Sequence, residues 1–202
     1  MSEHKITKND SESLIICFGG MSLQIGGILP FEFLNYLSKV YTTKVDLYFY
    51  IDKEQCWYHK GIHGITTNID DTVSYLNNII NQKSYKKVIF MGISAGGYAS
   101  ILFGSLCNVS NVISFIPRTT AENKMTDSRY FNLKDVLNSE TDYVLYGDLS
   151  ETDKNSNHHI SQCNNLNGFH NVKIVTCPKL NIKTLRDNGT IRQQIDDILF
   201  CK

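Results

Sequence analysis

Apolar, β-branched runs recur along the chain at Leu14 to Phe18, Val45 to Ile51, Lys87 to Met91, Val112 to Ile116, Tyr143 to Tyr146 and Val172 to Cys177. Short, nearly continuous apolar runs predict strands that are covered on both faces. Between them the period changes: Phe33, Leu34, Leu37 and Val40 fall at helical spacing, as do Ile69, Val73, Leu76, Ile79 and Ile80, and later Ile191, Ile195, Ile198 and Leu199. Asp70 and Asp71 put negative charge where a helix running to Asn81 would begin, next to its positive dipole end. Strand and helix alternate. This predicts an α/β fold, a mostly parallel six-stranded sheet with helices on both faces.

A chain of 202 residues suits one domain spanning 1–202, with residues 1–12 read as a flexible tail. Twenty Lys and Arg balance twenty Asp and Glu, and no basic run stands out, so neither nucleic acid nor an anionic membrane surface is the expected partner. No apolar run reaches the roughly 18 residues a membrane span needs. Met1-Ser2-Glu3-His4-Lys5 also lacks the apolar region of a signal peptide, so a cytoplasmic location is expected. The cysteines at 17, 56, 107, 163, 177 and 201 form no Cys-x-x-Cys pair and are read as reduced thiols. No metal and no cofactor is called for.

The chemistry concentrates at Gly92-Ile93-Ser94-Ala95-Gly96-Gly97, between the strand 87–91 and a helical run. A serine that must stand clear of a sheet on a tight strand-to-helix turn needs small residues two before and two after it, so that helix and neighbouring strand can approach. The amide of Ala95, at the helix start, faces where an oxyanion would develop.

With this elbow, the Phe18-Gly19-Gly20 segment and the strand-helix alternation over most of its length, the chain resembles the α/β-hydrolase superfamily. The resemblance implies Ser94 as nucleophile and an oxyanion loop after the first strand, with Gly20 or Met21 supplying the second amide. It also implies a Ser, acid, His order along the chain. The acid is then Asp148, at the end of the strand 143–146, or Asp153 in the polar stretch that follows. The histidine departs from the pattern: none occurs after His170, beyond the last strand. His158 and His159 are the best-placed substitutes, on a helix expected from Asn157 to Cys163. On its wheel His159 lies nearer the apolar face of Ile160 and Cys163, so His159 is expected to turn inward as the base.

The loop 52–67 carries Trp57, Tyr58, His59 and His63, aromatic bodies with polar tips suited to stacking on a sugar or planar acyl group. Arg118, after the strand 112–116, is a candidate anchor for a carboxylate or phosphate. The expected activity is a serine hydrolase cleaving a short-chain ester, with an O-acyl group on a carbohydrate as candidate substrate. Transfer of an acyl group to a glycan hydroxyl would use the same serine. A catalytically inactive hydrolase fold serving as a binding module is the rival, raised by the absent C-terminal histidine.

Overall fold

The computed structural model describes residues 4–21 and 33–200. Seven strands form one sheet, β1 (His4–Thr7), β2 (Ser13–Phe18), β3 (Asp46–Tyr50), β4 (Lys87–Ile93), β5 (Asn111–Phe115), β6 (Asp142–Asp148) and β7 (Val172–Cys177). Their order is β1-β3-β2-β4-β5-β6-β7, with every pairing parallel except β1 against β3.

Period-two alternation sorts each central strand between two cores. Leu14, Ile16 and Phe18 enter one cluster, and Ile15 and Cys17 enter the other. On the first face lie α2 (Ile69–Asn81) and α3 (Ala95–Leu106), and on the second α1 (Leu34–Val40) and α6 (Thr190–Phe200). The short helices α4 (Ser161–Asn164) and α5 (Ile182–Asp187) follow β6 and β7. Asn68 caps α2, its side chain accepting from the Asp71 amide at 2.8 Å, and acidic Asp70 and Asp71 sit in the first turn as expected. Helix α3 is buried from Ala95 through Ser105, which matches its apolar sequence all round and puts its N-terminus at the middle of the sheet.

One strand more is present than the six expected. Residues 4–7, inside the segment read as a tail, pair with β3 at the sheet edge, from His4 opposite Tyr50 to Thr7 opposite Leu47. Fully buried Asp46 then ties the segment down. Its carboxylate accepts from the Asn9 amide at 2.6 Å, from Lys83 Nζ at 2.9 Å and from the Tyr85 hydroxyl at 2.6 Å. Burial alone would oppose ionisation, but these bonds hold the Asp46 carboxyl below its ordinary range. His-Lys-Ile-Thr carries too little apolar character to announce a strand; pairing and the Asp46 bonds create it.

Candidate active site

Ser94 stands between β4 and α3 with φ 55° and ψ −114°, a left-handed conformation that a side chain rarely adopts. The turn is held from both sides, the Ser94 amide donating to Phe115 O at 2.9 Å and the Tyr98 amide to Ser94 O at 2.9 Å. Gly92 and Gly96 are glycines by necessity. A Cβ on Gly92 would lie 2.2 Å from Gly96 O, and one on Gly96 would lie 1.9 Å from Phe18 O and 2.9 Å from Gly19 O. The start of α3 therefore rests directly on the end of β2 and the Gly19 carbonyl, and the segment that follows is tied to the next loop, Gln55 Nε2 donating to Met21 O at 2.7 Å.

The tight loop 52–67 supports that segment from below. Asp52, almost fully buried, accepts from the amides of Cys56 at 2.7 Å and Tyr58 at 3.0 Å. Gln55, Trp57 and Tyr58 all take positive φ, and this winding turns the aromatic side chains inward. Tyr58 is wholly buried, and its hydroxyl donates to the carbonyls of Gly19 at 3.0 Å and Tyr50 at 3.2 Å. Trp57 is 2 % exposed and meets Tyr98 edge-on at 6.0 Å. His59 is 3 % exposed, with Nε2 2.8 Å from the Tyr98 hydroxyl. The three residues expected to greet a substrate are thus core residues that brace the site. His63 is outside, its Nδ1 3.0 Å from Glu54 Oε1. The sequence showed polar tips on aromatic bodies but not the positive φ values that fold them under.

The histidine beside the serine is His158. Its Nε2 lies 2.8 Å from Ser94 Oγ. His159 points elsewhere, its Nδ1 accepting from the Ser161 amide at 3.1 Å and lying 2.8 Å from Ser161 Oγ. The expected inward turn of His159 fails because residues 157–160 are not helical: α4 begins only at Ser161, and His159 instead forms an isolated bridge with Asp148. Without a helix the wheel has no meaning there. Residues 156–159 form a turn instead, the His159 amide donating to Ser156 O at 3.2 Å, and from this turn it is His158 that takes the site.

The loop from β6 to α4 holds His158 in place through its own polar groups. The His158 amide donates to Ser156 Oγ at 3.2 Å, and Ser156 Oγ donates to Glu151 Oε2 at 2.9 Å. Glu151 Oε1 accepts from the Asp153 amide at 3.0 Å. Next door, Asn157 Oδ1 accepts from Arg118 Nη1 at 2.8 Å. The rest of the Arg118 guanidinium donates to the carbonyls of Thr120 and Ala121, so it serves this loop rather than standing open as an anion anchor.

Burial pushes the His158 pKa down, while the charges of Glu151 and then Asp148 pull it back up. The net effect keeps the imidazole neutral at neutral pH, the form that accepts a proton. Among the described residues no carboxylate forms an ion pair with it. Asp148 Oδ1 takes the Ser150 amide and hydroxyl, both at 2.8 Å. Burial opposes its ionisation, but these bonds, the Leu180 amide and the Lys179 charge together lower its pKa. Asp153 is exposed and accepts from the Asn155 amide at 2.9 Å. Among the described residues, no group of His, Cys, Asp and Glu could hold a metal ion, and no helix is long and apolar enough to cross a membrane.

The chain matches no family model and no curated protein sequence. Solved structures match it over almost its whole length. An esterase of Thermogutta terrifontis superposes with a TM-score of 0.66 at 11 % identity, covering 98 % of this chain and 89 % of its own. The capsule O-acetyltransferase of Neisseria meningitidis serogroup A gives 0.63 at 15 %, covering 94 % and 90 %. Acetyl xylan esterase 1 of a Thermoanaerobacterium species gives 0.56 at 16 %, covering 93 % and 75 %. The chain spans about a third of the length of a bifunctional GH43-CE protein of Bacteroides eggerthii, 35 % of it, which it also matches.

The fold is α/β-hydrolase-like. Within that fold the position of His158 is unusual: it sits on the loop after β6, ahead of the final strand, where the resemblance places the acid. Glu151 is the residue that sequence reasoning passed over, as one more charge in a polar stretch. The signal available was Glu151 and Ser156 five apart ahead of His158, a spacing that acquires meaning only once the turn is known.

Proposed function

We propose that the protein is a serine acyl-transferring enzyme, an esterase in which Ser94 attacks an ester carbonyl. The observation that carries this reading is the 2.8 Å approach of His158 Nε2 to Ser94 Oγ on a strained elbow. Ser94 Oγ gives its proton to Nε2 as it bonds to the carbonyl carbon, forming an acyl-enzyme after the alcohol leaves with that proton. Water, activated by the same nitrogen, then releases the acid. The Ala95 amide and one from the Gly20-Met21 segment are the proposed donors to the oxyanion. Asp148 contributes negative field to the imidazolium; Asp153, exposed and turned to its own loop, does not.

A small, polar O-acylated substrate, such as an acetylated carbohydrate, fits best. Support comes from fold neighbours described as an acetyl xylan esterase and a capsule O-acetyltransferase. A glycan hydroxyl in place of water would give transfer by the same steps. A binding module without chemistry has lost its main motive, since a histidine does reach the serine.

Purified protein offered acetyl through dodecanoyl aryl esters and acetylated oligosaccharides should cleave the acetyl compounds fastest, and Ser94→Ala should abolish turnover. Activity that survives Ser94→Ala, or a preference for the longest chains, would contradict this reading.

A further inference from the structure

We propose that Glu151, acting through Ser156, is the positioning residue that sets His158 against Ser94, in place of Asp148. The inference rests on the esterase reading above and deepens it by naming the third member of the site. The geometry is a relay: Glu151 Oε2 accepts from Ser156 Oγ, which accepts from the His158 backbone amide. The second carboxylate oxygen of Glu151 accepts the Asp153 amide, so one side chain closes both ends of the turn that presents the imidazole. Asp148 has no such link. Its Oδ1 is spent on Ser150, and its backbone pairs with His159, the histidine that faces away.

A carboxylate can help a catalytic histidine by fixing its position and by favouring its protonated form in the transition state. Glu151 does both without touching the ring. Its charge favours the imidazolium more strongly than that of Asp148 does. Among the described residues, the charges that act on His158 are those of Glu151 and Asp148; Arg118 is bonded to neighbouring Asn157, and Asp153 and Lys154 on the same loop are exposed. Ser156 is placed to transmit the position and Glu151 to supply the charge, so the two contributions can be separated.

The test compares E151Q, S156A and D148N in the full chain, reading kcat and KM against pH together with the His158 imidazole titration by NMR. E151Q should lower kcat roughly tenfold or more with little change in KM. Because a negative charge is lost, the His158 titration and the acidic limb of kcat/KM should both move to lower pH. S156A should lower kcat without moving that limb, and E151D, which keeps the charge, should recover the wild-type titration. D148N should move the titration less than E151Q. If D148N shifts the limb further than E151Q, or E151Q keeps wild-type kcat and titration, Glu151 is not the positioning residue. That outcome leaves the esterase reading intact so long as wild-type turnover still depends on Ser94. A wild type inert to esters, with His158 titrating identically in all variants, overturns both.

Discussion

His59 Nε2 lies 2.8 Å from the hydroxyl of Tyr98, one turn of helix beyond Ser94. That hydroxyl donates to Tyr130 O at 2.8 Å, so the ring must donate to it, and Nδ1 then accepts from the amides of Thr126 and Asp127 at 3.2 and 3.1 Å. One neutral imidazole thus clamps the loops after β3 and β5 to the helix that begins beside Ser94.

The clamp has a pH signature. Burial pushes the His59 pKa down to about 4, against about 6.5 for an ordinary histidine. Above the unfolded value both states are neutral and stability is whole. As pH falls from there towards the folded value, the unfolded chain takes up a proton that the native state refuses, and stability is lost. Between about pH 7.5 and about pH 5 the loss should be about 2 kcal/mol. His59→Gln, which keeps a donor for Tyr98, should be less stable at the higher pH yet lose about that much less on acidification. Urea unfolding at the two pH values checks it; identical pH dependence in the two proteins would show that His59 is protonated in the fold.

Gly96→Ala should fail at the elbow. Its Cβ would meet backbone atoms, Phe18 O at 1.9 Å and Phe18 C at 2.6 Å, which cannot rotate aside. A cost of about 1–3 kcal/mol or more is expected, with loss of activity per folded molecule. Gly104→Ala, at the far end of α3, would meet the Val112 Cγ2 methyl at 2.4 Å. That side chain can shift, so melting should fall less and activity should persist. Equal activity loss in both would indicate a general packing defect.

The elbow and the sheet were readable because their signals are local. Glycines around Ser94, unbroken apolar strands and helical spacing all act within a few residues. The choice between His158 and His159 was not readable, since it turns on whether helix begins at 157 or 161. That boundary is set by Ser156, Glu151 and the Asp148–His159 bridge, none of which has a one-residue signature. The burial of Trp57 and Tyr58 is hidden from the sequence for a related reason. Composition made them look like surface for a ligand, while the Asp52 carboxylate, gathering loop amides, winds them into the core.

Arg118 separates anchoring a substrate from holding a loop. With its guanidinium committed to Asn157, Thr120 and Ala121, Arg118→Ala should lower kcat by roughly tenfold while KM stays near the wild-type value, as His158 loses a neighbour's support. Steady-state kinetics on an acetyl ester decide it. A rise in KM at unchanged kcat would mean that the guanidinium binds substrate.

Whether His158 activates Ser94 is measured, without knowledge of the substrate, by the rate at which a fluorophosphonate labels Ser94. The 2.8 Å contact predicts that His158→Ala slows labelling by roughly 10² or more, since a serine without its base is a weak nucleophile, while His159→Ala labels at the wild-type rate. Undiminished labelling in folded His158→Ala, or a collapse in His159→Ala alone, would contradict it.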